Sequence, residues 1–151
     1  MMNMKEKEMF QLLANYKNIM AIVDESEQSK EIVREAVLIA KTNNSNLIIL
    51  SFIDLTKIHY ANLMANQNAV EILNQEEARL NKLICNNENV QIHKKVLVGS
   101  SKLDIVNFAN ENGIDLLVME VKKRWVGKKS LIGLSKSYAS EYSNCDVLVL
   151  K

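Results

Sequence analysis

Short, almost uninterrupted apolar runs recur along this chain, and longer segments with a helical pattern of apolar and polar residues separate them. Runs of this kind are typical of strands that are buried on both faces of a parallel sheet. The pattern predicts five strands, of which the third is more exposed than the others. They are Ile19–Val23, Leu47–Ile53, Val90–Val98, Leu116–Met119 and Val147–Leu150.

The amphipathic segments between these runs predict crossover helices. Ser26 is positioned to cap a helix whose apolar stripe runs from Ile32 to Ala40. Gly113 is the type of residue expected just past the end of another helix. The remaining predicted helices are Asn62–Cys85, which has no helix breaker, Ser101–Asn112, the weaker Leu131–Ser143, and an N-terminal helix at about Lys5–Ala14.

Strands and helices that alternate in this way predict an α/β fold. The architecture is a doubly wound, five-stranded parallel sheet with helices on both faces, joined by right-handed crossovers. A chain of 151 residues makes one domain of ordinary size. We expect residues 1–15 to be an N-terminal helical extension and residues 16–151 to form the domain.

The composition points to no highly charged partner. Of the residues, 48% are hydrophobic and 25% charged, and 19 basic against 18 acidic residues give a net charge of +1. A chain without a strong overall field is not expected to bind nucleic acid or an anionic membrane. No apolar run is long enough to span a bilayer and the N-terminus lacks the apolar stretch of a secretory signal, so we expect a cytoplasmic protein.

Residues that commonly form turns and crosslinks are scarce. The chain has no proline and four glycines but 18 asparagines, so Asn is predicted to form turns, because it tolerates the left-handed backbone conformation. Cys85 and Cys145 have no second Cys or His at metal-ligand spacing. They are interpreted as small buried apolar residues.

In a doubly wound sheet, ligands bind beyond the carboxyl ends of the strands, where the strand order reverses. The candidate residues therefore follow the strands. They are Asp24-Glu25-Ser26, Asp54, Gly99-Ser100-Ser101 and the segment Glu120–Gly133.

From about Tyr16 to Lys151 the chain resembles the universal stress protein family. YKNIMAIVDESEQSKEIVREAVLIAK resembles the opening of that family, in which a strand ends in Asp before a small-residue turn and a helix. LIILSFID resembles its second strand, VLVGSSKLDIVNFANENGIDLLVME its G-x-P segment, helix and fourth strand, and SNCDVLVL its C-P-V-L-V ending. Ser101 and Asp146 replace the two prolines of these motifs.

The resemblance implies a homodimeric, Rossmann-like domain with strand order 3-2-1-4-5. In one branch of the family it also implies an ATP site with the pattern GxxG, nine residues, then Gly followed by Ser or Thr. Glycines are needed there because their amides must approach the triphosphate closely. In this chain the frame falls on Glu120, Lys123, Gly133 and Leu134, so only the third glycine is kept.

These substitutions oppose the binding of a polyphosphate. Glu120 adds a carboxylate near Asp24 and Glu25, and a like-charge pair at about 4 Å costs several kcal/mol at intermediate dielectric. Lys123 does not easily adopt a positive φ, and Leu134 removes a hydroxyl. If nucleotide binding is retained, the residues of the site are Ile22, Val23, Asp24, Ile53, Met119, Glu120, Lys123, Gly133, Leu134 and Ser135.

Three hypotheses of function follow. The first is a non-enzymatic regulatory protein with no cofactor, which dimerises through its last strand, residues 146–150, and acts on an unknown protein partner. The second retains ATP or AMP, held by Asp24 and by the basic loop 122–129, KKRWVGKK, whose alternative role is a solvated surface loop. The third, an adenine-nucleotide hydrolase or ligase, is disfavoured because DESEQS lacks the glycines of a phosphate loop.

Individual residues leave two interpretations open or favour a structural one. Asp24 is expected either to bond adenine or ribose, as the resemblance implies, or to bond nearby backbone amides. His59 and His93 are far apart with no evident nucleophile beside them, which favours structural roles over catalysis. The segment Gly127–Ser130 is not a P-loop, because Lys122 stands where a glycine is required.

Overall fold

The computed structural model describes residues 3–5, 16–84, 89–120 and 134–150. From residue 16 on, the described ranges contain five strands and five helices, with two consecutive helices between the second and third strands. In chain order they are β1 (Asn18–Val23), α1 (Gln28–Asn43), β2 (Asn46–Asp54), α2 (Leu55–Met64), α3 (Ala69–Leu83), β3 (Gln91–Gly99), α4 (Lys102–Glu111), β4 (Leu116–Glu120), α5 (Lys136–Tyr142) and β5 (Asp146–Leu150).

The strands form one parallel sheet with the order β3-β2-β1-β4-β5. β1 pairs with β2 from Asn18 opposite Asn46 to Val23 opposite Ser51, and it pairs with β4 on its other side. The predicted fold class and the order implied by the family resemblance are both confirmed. β3 and β5 are the two edge strands of this sheet.

Alternate side chains of the strands enter two separate cores, one on each face of the sheet. Ile19 and Ala21 of β1 pack against α1 and against Leu80 of α3. Met20 and Ile22 face the other way, toward α4 and α5. The apolar runs are therefore strands because both of their faces are covered by helices.

The predicted helix Asn62–Cys85 is wrong as a single element. Two helices cover this part of the chain, and Asn66 lies between them with a φ of 53°. Asn adopts the left-handed region more readily than most residues, so it can end a helix without glycine or proline. The Asn68 side chain then accepts a hydrogen bond from the amide of Glu71 and caps α3.

The starts and ends of the other helices follow the predictions in part. Glu27, not Ser26, occupies the N-cap position of α1, and its side chain makes no capping hydrogen bond. Ser101 and Asp104 form a capping box at the start of α4, and Gly113 follows that helix with a φ of 62°. Asn44 ends α1 with a φ of 54°, as expected for turns built on Asn.

Some predictions fall on residues outside the described ranges. These include the N-terminal helix apart from Lys5, the first residues of Leu131–Ser143, and the basic loop 122–129. The part of Leu131–Ser143 that is described is helical from Lys136 to Tyr142. Among the described helices, none has both the length and the apolar character needed to cross a bilayer.

Candidate functional site

A cleft with a volume of about 530 Å³ opens beyond the carboxyl ends of β1 and β2. Small-molecule sites commonly have volumes of about 300–1,000 Å³, so the cleft is large enough for a ligand. Strand ends form its base, and α2 and α3 contribute its sides. It is lined by Asp24, Glu25, Ser51, Phe52, Ile53, Asp54, Thr56, Lys57, Tyr60, Glu76 and Arg79.

A polar network lies at the base of the cleft. The Nε of Arg79 donates to Oε1 of Glu76 at 2.9 Å, and the hydroxyl of Ser51 donates to the same oxygen at 2.5 Å. The Nη1 of Arg79 donates to the main-chain carbonyl of Asp24 at 2.6 Å. The network therefore joins α3 to β2 and to the turn that follows β1.

Glu76 is ionised in this network although it is largely buried, with a side chain that is 14% exposed. Burial raises the pKa of a carboxyl group, but hydrogen bonds from Arg79 and Ser51 and the charge of Arg79 oppose this effect. The balance lowers the pKa of Glu76 below its ordinary value of 4.5. A buried charge of this kind is tolerated because it is paired and hydrogen-bonded.

The entrance of the cleft carries an exposed ion pair and an exposed aromatic ring. The Nζ of Lys57 lies 3.4 Å from Oε1 of Glu25, which links α2 to the turn after β1. Tyr60, one helical turn further along α2, is 64% exposed. No residue of α2 is fully buried, and its N-cap Asp54 accepts a hydrogen bond from the amide of Thr56.

Three strand ends share one local arrangement, in which an aspartate of the chain accepts hydrogen bonds from amides of the adjoining turn. Such amides are the donors that otherwise bind phosphate. The carboxylate of Asp24 accepts from the amide of Ser26 at 2.8 Å, and the carboxylate of Asp54 accepts from the amide of Thr56 at 2.8 Å. The carboxylate of Asp104 accepts from the amides of Ser100 at 2.8 Å and Ser101 at 3.1 Å.

Asp24 makes the contacts expected if its role is to bond nearby backbone amides. Its carboxylate accepts from the amide of Ser26 and from the hydroxyl of Ser29 at 3.2 Å, and its own amide donates to the Ser29 hydroxyl at 2.9 Å. Asp54 behaves similarly, because the hydroxyl and the amide of Thr56 lower the pKa of its carboxyl group. Both aspartates thus shape the turns at the edge of the cleft.

Two positions of the family's glycine frame lie in the described part of the chain. Glu120 ends β4, and its Oε2 lies 3.5 Å from the hydroxyl of Ser26, so this carboxylate is next to the turn after β1 as predicted. Leu134 is 9% exposed and packs in the core. Lys123 and Gly133 lie outside the described residues.

The other predicted site residues divide between the cleft and the core. Ile53 lines the cleft together with Asp24. Ser135 is the N-cap of α5, and its hydroxyl accepts from the amide of Tyr138. Three further predicted residues are buried in the two cores: Ile22, Val23 and Met119.

Sequence analysis named Ile53 and Asp54 of β2 but missed the other residues of β2 and α3 that line the cleft, which are Ser51, Phe52, Glu76 and Arg79. Glu76 lies on the helix face that also carries Leu73, Leu80 and Leu83, at i, i+3, i+7 and i+10. A carboxylate within an apolar stripe is a signal of a buried polar partner. Ser51, which interrupts the apolar run of β2, is the matching signal on the strand.

The remaining candidates that the structure describes, His59, His93 and Cys145, do not line the cleft. His59 and His93 are exposed on α2 and β3. Cys145 is a free thiol that is half-buried and not fully buried as predicted, and this partial burial raises its pKa. Cys85 lies outside the described residues. Within residues 3–5, 16–84, 89–120 and 134–150, no cluster of three His, Cys, Asp or Glu side chains is placed to hold a metal ion.

Comparison with known proteins identifies a family match and a shared fold. The model of the universal stress protein family matches residues 15–151. Universal stress protein A homolog 1 of Coxiella burnetii is 25% identical over 140 residues, which cover 90% of this chain and 96% of that protein.

Two solved structures share the fold over nearly their whole length. Universal stress protein UspA from Lactobacillus plantarum aligns with a TM-score of 0.66 and 22% identity, covering 90% of this chain and 98% of that one. The universal stress protein from Archaeoglobus fulgidus in complex with dAMP aligns with a TM-score of 0.63 and 17% identity, with the same coverage of 90% and 98%.

Proposed function

Because this chain belongs to the universal stress protein family, we propose that it is a non-enzymatic regulatory member that acts as a homodimer and does not bind ATP in the ordinary way. The observation that carries the proposal is the position of Glu120 beside the turn after β1. At that position the ATP-binding branch has a glycine. The cytoplasmic location and the unknown protein partner stay predictions from the sequence.

The charges at this edge of the sheet support the absence of ordinary ATP binding. A triphosphate there would lie near the carboxylates of Glu120, Asp24 and Glu25. Amides of the turns after β1, β2 and β3 already donate to aspartates of the chain. A polyanion would therefore meet repulsion and would have to displace internal hydrogen bonds.

Calorimetric titration with Mg-ATP tests this part of the proposal. We expect no saturable heat at micromolar nucleotide concentrations. A micromolar dissociation constant for Mg-ATP is the result that contradicts the proposal. Mass spectrometry of small molecules released from the purified, denatured protein provides a second and independent measurement.

The two edge strands differ in a way that supports a homodimer through residues 146–150. β3 carries His93, Lys94 and Lys95, all of which are exposed, and edge charges of this kind discourage pairing between chains. After Asp146, β5 has only apolar side chains, all half-buried, from Val147 to Leu150. A second copy pairing along β5 would cover this apolar edge.

Sedimentation equilibrium at tens of micromolar protein tests the dimer. We expect Val149→Lys to shift the equilibrium toward monomer, because it adds a charge to the proposed interface. Ile92→Lys is the matched control, since it also introduces a lysine at a half-buried apolar position, but on the opposite edge strand. A wild-type protein that sediments only as monomer excludes the dimer.

A second candidate function retains a nucleotide. The dAMP complex of the Archaeoglobus fulgidus protein supports it, because that fold accommodates an adenine nucleotide. In this chain the phosphate would be held by side chains of the basic loop 122–129 in place of glycine amides.

Titration of Lys123→Ala with AMP and ATP tests this candidate. We expect the substitution to weaken nucleotide binding, whereas Lys30→Ala, in an exposed ion pair on α1, leaves it unchanged. If no nucleotide co-purifies and added nucleotides leave the melting temperature unchanged, the candidate is wrong.

A further inference from the structure

We infer that the cleft between α2 and α3 takes an uncharged nucleoside in preference to its phosphates. This inference rests on the proposed function, since it assigns a ligand class to the same degenerate site. It is carried by three observations: the size and lining of the cleft, the charge of that lining, and the occupied amides at the strand ends on this edge of the sheet.

The cleft combines apolar surface with polar groups at its edges. Its volume of about 530 Å³ suits a nucleoside-sized molecule. The rings of Phe52 and Tyr60 line it, and aromatic rings of this kind stack on planar bases. Asp24, Ser51 and Thr56 are among the polar residues of the lining.

The charge of the lining opposes anions. Four carboxylates, those of Asp24, Glu25, Asp54 and Glu76, line the cleft with two cations, Lys57 and Arg79, so the lining has a net charge of −2. Each cation is already within ion-pair distance of a carboxylate, Lys57 of Glu25 and Arg79 of Glu76. A phosphate group would have to break one of these pairs to gain a cationic partner.

Four main-chain amides at three strand ends already have acceptors within the chain. The amides of Ser26, Thr56, Ser100 and Ser101 donate to carboxylates of the chain. Three aspartates thus occupy positions where a ligand phosphate would otherwise accept hydrogen bonds. An uncharged ribose and base require neither these amides nor a free cation.

The test is calorimetric titration of the full chain with adenosine, AMP and Mg-ATP at low salt, with guanosine and uridine as further nucleosides. We expect at least one nucleoside to bind, its monophosphate to bind at least tenfold more weakly, and Mg-ATP to bind more weakly again. Rising salt should reduce the difference in affinity between nucleoside and monophosphate, because salt screens the repulsion between the phosphate and the negatively charged lining.

Two variants at the entrance should change this selectivity in opposite directions. Glu25→Gln removes a carboxylate and releases Lys57, so the affinity for the monophosphate should rise about threefold to tenfold relative to that for the nucleoside. Lys57→Gln makes the cleft more negative, so the relative affinity for the monophosphate should fall by a similar factor. Glu27→Gln is the matched control, because Glu27 pairs with Lys30 and does not line the cleft.

The outcomes separate this inference from the proposed function. If no nucleoside binds at millimolar concentration, the inference is wrong and the absence of ATP binding stands. If AMP binds as tightly as adenosine or more tightly, the inference is also wrong and the second candidate function gains support. Micromolar Mg-ATP binding overturns both the inference and the proposed function.

Discussion

Arg79 of α3 donates a hydrogen bond of 2.6 Å to the main-chain carbonyl of Asp24, which lies 55 residues earlier in the chain. The same guanidinium pairs with Glu76 and reaches the hydroxyl of Ser51. One side chain thus connects a helix, a central strand and the turn that borders the cleft. We expect both the stability of the domain and the shape of the cleft to depend on this connection.

Glu76→Gln should destabilise the domain by about 1–3 kcal/mol at pH 7, because it leaves the largely buried Arg79 without its carboxylate. Urea unfolding followed by far-UV circular dichroism measures the change. The matched control is Glu27→Gln, which removes an exposed partner of Lys30 and should change stability by less than about 0.5 kcal/mol. Equal effects of the two substitutions would show that the buried network contributes nothing specific.

The ionised carboxylate of Glu76 should also make the stability of the domain depend on pH in the acid range. The pKa of Glu76 is lower in the folded protein than its ordinary value of 4.5, so the unfolded chain takes up its proton first as the pH falls. Its contribution to stability is complete above that ordinary value and is lost as the pH falls through the lowered one. Urea titrations from pH 7 to pH 3 should show a smaller loss of stability for Glu76→Gln than for wild type. Parallel curves for the two proteins contradict the prediction.

The sheet and the position of the cleft beyond the strand ends could be predicted from the sequence, but the polar network inside the cleft could not. IMAIV and the other predicted strands except the third are apolar on both faces, and only a sheet covered by helices buries both faces, so the pattern alone identifies them. The order of the strands could be predicted only from the family resemblance, because an apolar run does not indicate which strand it pairs with. The network of Ser51, Glu76 and Arg79 joins residues 25 and 28 positions apart on different elements, and no local pattern specifies that contact.

The boundaries of the helices could also be predicted only in part from the local sequence. Asn66 breaks the predicted helix through its left-handed backbone, although the helix propensity of Asn is only moderately poor. The capping box at Ser101, by contrast, depends on a residue only three positions later and could be anticipated locally.

Gly99→Ala should destabilise the protein by about 1–3 kcal/mol through steric conflict at the end of β3. A Cβ at residue 99 would lie 2.6 Å from Oδ2 of Asp104 and 2.9 Å from a ring carbon of Phe52. The same carboxylate holds the amides of Ser100 and Ser101, so it has little freedom to move away. Chemical denaturation compares the variant with wild type.

The control for this substitution is Gly113→Asn. Nothing lies within 4 Å of a Cβ built at residue 113, and its φ of 62° suits Asn better than most residues. We therefore expect a smaller loss of stability than for Gly99→Ala. A Gly99→Ala protein as stable as wild type would mean that the turn after β3 adjusts freely.

Asn66→Gly should leave the stability nearly unchanged, whereas Asn66→Val should lower it by about 1–2 kcal/mol, because a β-branched residue with positive φ is strained. Both substitutions remove the same amide side chain, so the difference between them isolates the backbone conformation. Thermal unfolding followed by circular dichroism measures both variants. If the Val variant gains helical signal without losing stability, α2 and α3 can merge into the single helix that the sequence pattern predicts.

The hydrogen bond between Tyr16 and Asp146 leads us to expect a loss of stability at alkaline pH. The hydroxyl of Tyr16 donates to Oδ2 of Asp146 at 2.6 Å, which ties the segment before β1 to the first residue of β5. Burial, together with this bond and the charge of Asp146, raises the pKa of Tyr16 from 10.0 to about 12. The folded protein therefore keeps the phenolic proton at a pH where the unfolded chain has lost it, and the contribution of Tyr16 to stability falls as the pH rises from 10.0 to about 12.

Tyr16→Phe should remove this part of the alkaline dependence, and it should cost about 0.5–1.5 kcal/mol at pH 7 through the lost hydrogen bond. Urea unfolding at pH 7, 9, 10 and 11 measures both effects, and absorbance of tyrosinate checks the titration directly. Tyr60→Phe is the matched control, because Tyr60 is 64% exposed on α2 and its substitution should change neither value. Since Asp146 begins the proposed dimer strand, the series is run at two protein concentrations. An alkaline slope that changes with concentration, and that persists in Tyr16→Phe, would assign the effect to dissociation of the dimer and not to this hydrogen bond.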